Sequence, residues 1–292
     1  MKSDGKRRKI VILGHSGFLG SYLYENFGKE TAYEVCGFSS AQIDLLSPVR
    51  CRLLADIFDS QTTVIMAAAI IRHKGDSLEF LKRNLEMAIN IANVISSTKI
   101  NHLIFLSSIA VYGNDTAGLI CEESSFAPDN FYAVSKACSE MILRKSCAKE
   151  RIKFTILRPG KIYGGGDTTS PIFKFIDHVV NGRIIDINGD GSHKLYPIHK
   201  SDMFQIIRLA ILGSITGDYN IVHHELSLSE LAEMVFRVCG KRTRIRFAVS
   251  LELPVKLRFN IAKFRNNFAT VRFLSLEDGL KEYLNQTDKK EE

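Results

Sequence analysis

Tyr132-Ala-Val-Ser-Lys136 sets a phenol and an ammonium four residues apart, on one face of any helix that carries them. A free phenol titrates near pH 10, so work as a base at neutral pH calls for a shift of about three units, or roughly 4 kcal/mol. A fixed ammonium beside it can supply much of that shift. A third group must hydrogen-bond the oxygen that gains or loses the proton. Ser107-Ser108 offers hydroxyls for this at the end of the apolar run Leu103 to Leu106. Spacing alone is weak evidence, because roughly 0.6 such Tyr/Lys pairs are expected by chance. Tyr196-Pro-Ile-His-Lys200 has the same spacing, but Pro197 disfavours a helix there.

If that proton moves as an alcohol is oxidised or a carbonyl reduced, a hydride carrier is needed as well, and Gly14-His-Ser-Gly17-Phe-Leu-Gly20 can seat one. Glycines let a backbone turn tightly against a pyrophosphate, and a helix N-terminus offers free N–H groups and partial positive charge. The turn follows the strand-like Ile10 to Leu13 and opens a stretch, Phe18 to Phe27, with apolar residues at helical spacing. Ser16, Phe18 and Leu19 lie within it and are expected to contact the cofactor with the glycines. Beyond the second predicted strand, Glu34 to Phe38, stand Ser39 and Ser40, with no carboxylate before Asp44 and no adjoining Arg. A carboxylate there grips the ribose 2′-hydroxyl and repels a 2′-phosphate, so its absence favours NADP over NAD.

Further elements follow in alternation: a helix over Pro48 to Phe58, a strand over Thr63 to Ala68, a helix over Leu78 to Ser96 and a strand over His102 to Leu106. Then come a helix over Tyr132 to Lys149, a strand over Phe154 to Leu157, and helices over Met203 to Leu212 and Leu228 to Cys239. Such alternation predicts an α/β fold, a Rossmann-type doubly wound parallel sheet covered on both faces. After about residue 163, Gly-rich turns suggest insertions at the carboxyl end of the sheet without an independent core. Residues 9–163 with about 195–224 are expected to form the dinucleotide-binding domain, and 164–194 with 225–292 a smaller α/β substrate-binding lobe.

The composition, 45% hydrophobic and 24% charged over 292 residues, is that of a globular chain. Its longest apolar run, Val64 to Ile71, is far short of a membrane span. The basic start, Met1 to Lys9, is followed by an apolar run too short for a signal peptide, which points to the cytoplasm and no membrane partner. Six cysteines without Cys-x-x-Cys read as buried thiols, and His15, His73, His193, His199, His223 and His224 form no metal pattern. The net charge of +7 gathers in Lys241 to Arg272, which holds nine basic residues against Glu252. A local basic surface for a phosphorylated small molecule fits that segment; no nucleic-acid module is recognisable.

The Gly-x-x-Gly-x-x-Gly spacing, Phe105-Leu-Ser-Ser-Ile-Ala-Val-Tyr-Gly113 and the Tyr132/Lys136 pair 24 residues after Ser108 resemble the extended short-chain dehydrogenase/reductases, the NAD-dependent epimerase/dehydratase group. Leu157-Arg-Pro-Gly-Lys-Ile-Tyr-Gly164, Tyr196 to Asp202, and Leu276-Glu-Asp-Gly-Leu280 extend the resemblance over nearly the whole chain. It implies Ser108, Tyr132 and Lys136 as catalytic residues. It assigns Asp44, Leu45, Ala67 and Pro159, with Tyr132 and Lys136, to the cofactor. Asn84 and Ser108 fall to the active site's substrate side, Lys161 to the place where 4-epimerases carry a substrate-binding Asn, and Arg258 to the segment that holds a nucleotide-sugar diphosphate. Asn260 stands where the family commonly has Asp, a departure in the Arg258 segment.

The resemblance further implies a nucleotide-diphosphate sugar as partner and a homodimer through the two long helices. Sugar dehydratases of the group carry an acid next to the catalytic Ser or Thr, whereas Ile109 and Ala110 cannot move protons. The expectation is a nucleotide-sugar epimerase or 4-ketoreductase. An NADPH-dependent reductase of a non-sugar carbonyl and a non-catalytic dinucleotide-binding regulator are the other readings, the latter opposed by retention of all three catalytic residues.

Overall fold

The computed structural model describes residues 7–71, 75–114, 118–249 and 257–288. Its centre is a sheet of six parallel strands: β1 (Arg8–Leu13), β2 (Tyr33–Phe38), β3 (Thr63–Met66), β4 (His102–Leu106), then β6 (Lys153–Pro159) and β11 (Gly217–Ile221). The helices between them are α1 (Phe18–Gly28), α2 (Pro48–Cys51), α3 (Leu78–Ser97), α4 (Phe131–Glu150), α5 (Pro171–Val180) and α6 (Lys200–Gly213). A short β5 (Leu119–Ile120) precedes α4, while β7 (Lys161–Tyr163), β8 (Ile185–Asn188), β9 (Lys194–Leu195) and β10 (Pro197–His199) lie between β6 and α6. The chain closes with β12 (Leu226–Ser227), α7 (Leu228–Cys239), β13 (Ile245–Ala248), β14 (Arg258–Phe259), α8 (Ala262–Asn267) and α9 (Leu276–Asp288).

The strands run in the order β11-β6-β4-β3-β1-β2. Alternation within each strand feeds two cores: Ile10 and Ile12 join Leu23, Phe27 and Met203 on one face, while Val11 and Leu13 join Val64, Ile91 and Leu143 on the other. β2 and β3 flank β1 on opposite sides, so the chain reverses its winding direction at β1 and opens a crevice at the carboxyl ends of β1 and β3. The turn after β1 sits at that crevice.

Two caps fix the helices that bear the site. Ser77 accepts the Phe80 N–H at the start of α3, and Asn130 accepts the Ala133 N–H at 2.9 Å, which places Tyr132 in the first turn of α4 and Lys136 one turn deeper. The predicted helix over Pro48 to Phe58 breaks instead into α2 and a 3-10 turn, Arg52–Asp56. Within α2 and the 3-10 turn, Cys51 and Leu54, three residues apart, are the buried residues, a spacing the tighter turn satisfies.

Residues beyond 163 do build a core of their own, contrary to the sequence expectation. Ile172, Phe175, Ile176 and Val179 of α5 pack with Leu231 and Val235 of α7 and with Leu280 and Tyr283 of α9. Ser170 caps α5 with Pro171 behind it, and a Ser227/Glu230 capping box opens α7. This core is fastened to the turn after β7. The Gly165 N–H donates to Glu282, the Gly164 N–H to the Tyr283 hydroxyl and the Ser201 N–H to His199 Nδ1, and His199 Nε2 lies 2.9 Å from the Glu282 carboxylate. These contacts hold the Glu282 carboxyl down at about 2. Tyr196 and Lys200 share no helix: Tyr196 precedes β10 and Lys200 opens α6.

At the opposite end of β4 from Ser108, His102 Nε2 meets Thr155 Oγ1 of β6 at 2.7 Å, and that hydroxyl donates to the Ile215 carbonyl. Burial lowers the imidazole to about 4. Between about 4 and 6.5 the unfolded chain therefore takes up a proton that the folded one refuses, so stability falls as pH drops through that window. His102→Gln is expected to flatten this limb in thermal melts recorded from pH 7 to pH 4.

Candidate active site

Gly14 takes φ +87°, and a Cβ there would stand 2.8 Å from the Ala68 backbone. A Cβ on Gly20 would fall 2.1 Å from the Gly14 carbonyl oxygen. Glycine is thus required at both places for α1 to approach β1 and β3 closely. Gly17 caps α1 without a side chain, no acid occupies the first turn, and helical bonding begins with Ser21 N–H to the Gly17 carbonyl. The N–H groups ahead of Ser21 and the helix dipole can receive a pyrophosphate, so this loop fits a dinucleotide. Ser16 is exposed, Phe18 half-buried and Leu19 buried in the core. Ala67, bonded through its N–H to the Leu13 carbonyl, continues β3 at the same crevice, and Pro159 ends β6.

Past the end of β2, the Ser39 hydroxyl and N–H both donate to the Gln42 side chain at 2.9 Å, and Ser40 is exposed. Arg50 comes from α2 to donate to the Gln42 carbonyl at 2.7 Å. The cation that the sequence does not place next to Ser39-Ser40 is brought there by the fold. Asp44 turns one oxygen to the Leu46 N–H, and Leu45 packs its side chain into the core. The Leu45 carbonyl is taken by the Asn90 amide, which donates to it at 2.8 Å.

Ser108, Tyr132 and Lys136 meet at the end of β4. Ser108 accepts the Ala110 N–H and lies close enough to the Tyr132 hydroxyl to oppose in part the effect of its burial. Lys136 is buried; its ammonium donates to the Leu106 carbonyl at 2.6 Å and lies 4.8 Å from the Phe105 ring centroid and 5.9 Å from that of Tyr132. Burial pushes the Tyr132 phenol up to about 12 and the Lys136 ammonium down to about 8, opposed at Lys136 by the Glu140 carboxylate. Asp76 accepts the Tyr132 N–H at 3.0 Å, a support with no short-range sequence signal.

Asn84 hydrogen-bonds within the fold. Its oxygen accepts the Ile70 N–H, and its nitrogen donates to the Ile70 carbonyl and to Ser135, so the amide braces the segment after β3 against α4. Lys161 is half-buried at the start of β7; burial lowers its ammonium, Asp167 opposes that and Lys174 adds to it. Arg258 is exposed on β14, beside β5. The basic stretch is less of a free surface than its composition suggests, because Arg242, Arg246 and Lys263 pair with Glu233, Asp186 and Glu123. Glu252 and Lys256 lie outside the described residues, as does His73. Cys51 and Cys147 are buried; the other four cysteines are partly exposed thiols. Among the described residues no His/Cys/Asp/Glu cluster could hold a metal, and no helix is long and apolar enough to cross a membrane.

A model of the NAD-dependent epimerase/dehydratase family matches residues 10–221, well over half of the chain. The chain belongs to that family. It is similar to the dTDP-4-dehydro-6-deoxy-D-allose reductase of Streptomyces bikiniensis, 26% identical over 275 residues, 82% of this chain and 83% of the relative. The dTDP-glucose 4,6-dehydratase of Streptomyces niveus is 25% identical over 197 residues, 64% of this chain, and the match spans 58% of that relative's length. In fold it resembles the Thermus thermophilus UDP-glucose 4-epimerase solved with NAD, with a TM-score of 0.83 at 20% identity over 96% of this chain and 99% of the other. As a family member it is an enzyme built on the Rossmann-type sheet that its sequence predicts.

Within this family member the requirement at Gly20 is steric and so directly testable. Gly20→Ala forces backbone apart at the phosphate turn and is expected to weaken dinucleotide binding at least tenfold, read by quenching or enhancement of reduced-cofactor fluorescence.

Proposed function

We propose that the chain is an NAD(P)-dependent nucleotide-sugar epimerase or 4-ketoreductase acting through Ser108, Tyr132 and Lys136. The observation that carries this reading is the convergence of those three side chains at the end of β4, at the same edge of the sheet as the phosphate turn. The bound nicotinamide supplies or accepts the hydride. Ser108 hydrogen-bonds the substrate oxygen and Tyr132 moves its proton. The Lys136 ammonium, with donors left after its bond to Leu106, holds the nicotinamide ribose and stabilises the phenolate.

In either reaction the Tyr132 phenol protonates a carbonyl oxygen as hydride arrives at the adjacent carbon. Ser40 and Arg50 at the adenosine end support NADP over NAD. Ile109 and Ala110, in the turn after Ser108, supply no acid for elimination. Residues 9–163 with about 195–224 form the cofactor domain in this proposal. The substrate lobe comprises 164–194 with 225–292, in which Arg258, together with Lys161 at the boundary, meets the diphosphate. The two long helices, with Ile89 and Met141 exposed on them, support a homodimer.

Mass spectrometry of the dinucleotide released on denaturing fresh protein separates the arms. Stoichiometric NAD supports the epimerase, whose cycle never needs to release it. An empty protein that binds NADPH at least tenfold tighter than NADH supports the reductase, and binding of neither overturns both. On a substrate found among UDP-, dTDP- and GDP-linked sugars and their 4-keto forms, Tyr132→Phe is expected to lower turnover by about 10²–10⁴ while leaving dinucleotide affinity within a few-fold. Full turnover by that variant would remove Tyr132 from the mechanism.

A further inference from the structure

Glu140 lies one helical turn beyond Lys136 on α4 and is 1% exposed. It accepts the hydroxyl of Ser107, the residue before Ser108, and is held by Arg158 of β6, whose Nη2 donates at 2.7 Å and Nε at 3.0 Å. Arg158, itself 1% exposed, spends its remaining donors on the Tyr112 hydroxyl, the Glu122 carbonyl and Asp218. Arg144 of α4 pairs with Asp218 at 2.6 Å, and Glu122 accepts the Asn220 N–H. α4 thus grips the end of β4 twice, one turn apart: Lys136 on the Leu106 carbonyl and Glu140 on the Ser107 hydroxyl.

We propose that Glu140, braced by Arg158, is a positioning residue of the catalytic site: it fixes the strand end that presents Ser108 and keeps the Lys136 ammonium charged beside Tyr132. An ion pair this deep is weak evidence for stability, since two desolvated charges gain little over an apolar pair of the same size. It does set the local field. The groups facing Lys136 are Tyr132 and Glu140 on its own helix and the Leu106 carbonyl and Phe105 ring from β4. Of these Glu140 is the negative charge, and it opposes the burial that drives the ammonium toward neutrality. Without it, Arg158 keeps Asp218 alone as a counter-charge, shared with Arg144, and the burial of Lys136 is no longer opposed.

The proposal rests on the functional reading for its consequence but not for its test, which needs no substrate. Lysine labelled with ¹³C at Cε, with the Lys136 resonance identified by its loss in Lys136→Met, reports the titration midpoint directly. The wild type is expected near 8, Glu140→Gln at least one unit lower, and the double variant Glu140→Gln/Arg158→Gln between the two. The double variant removes both charges together, so it keeps the test open where the single variant fails to fold. A Glu140→Gln midpoint less than one unit below the wild type overturns the proposal, and where that variant does not fold, so does a double-variant midpoint no more than 0.3 units below the wild type. A moved midpoint in a protein that turns over no nucleotide sugar leaves it standing and sinks the functional reading instead.

Discussion

The hydrogen bond from the Lys136 ammonium to the Leu106 carbonyl ties a helix to the end of a central strand, and the site depends on that attachment. A lysine on a buried helix face would ordinarily be excluded by the cost of desolvating its charge. Here the strand end supplies an unpaired carbonyl because β4 stops at Leu106, and the α4 cap at Asn130 sets the helix so that Lys136 arrives at that carbonyl. Ser108 then follows two residues past the anchored atom, and Tyr132 sits one turn back along the same helix. The reacting side chains are therefore placed by backbone geometry at both ends, and their mutual arrangement does not rely on loop conformation.

Much of this was legible in the sequence because it rests on local rules. Strands buried on both faces read as continuous apolar runs, and helices covering one face read at a period near 3.6. The Tyr132/Lys136 spacing, the strand-end serines and the glycine turn each occupy a single short segment. What stayed hidden requires residues far apart in the chain. Arg50 reaches the Ser39 turn only because α2 folds back on it, and Asn84 serves Ile70 and Ser135. The third core went unread, although Pro171 to Val180 carries apolar residues at helical spacing behind a Ser-Pro start. Its partners, α7 and α9, are about 60 and about 110 residues away, and no local pattern announces that they meet.

The basic segment illustrates the same limit for charge. A run of lysines and arginines in sequence predicts a field only if their counter-charges lie elsewhere in space. Asp186, Glu233 and Glu123 come from three separate elements and neutralise Arg246, Arg242 and Lys263. The positive character left for a diphosphate is correspondingly concentrated in residues such as Lys161 and Arg258, whose surroundings are shaped by the fold.

The position of β11 at the sheet's edge bears on how the chain is made. β6 ends at Pro159, yet the strand that covers its outer edge begins at Gly217, after four further short strands and two helices have been synthesised. A nascent chain emerging from the ribosome must hold an apolar, unpaired edge through that interval, the kind of surface that invites pairing with a neighbouring chain. Arg158 points its charge from that strand, and the acids that compensate it straddle the gap: Glu140 arrives early, Asp218 only with the last strand. The sheet can assemble as a layer before then, but its charge balance and its final edge close together, in one late step of synthesis.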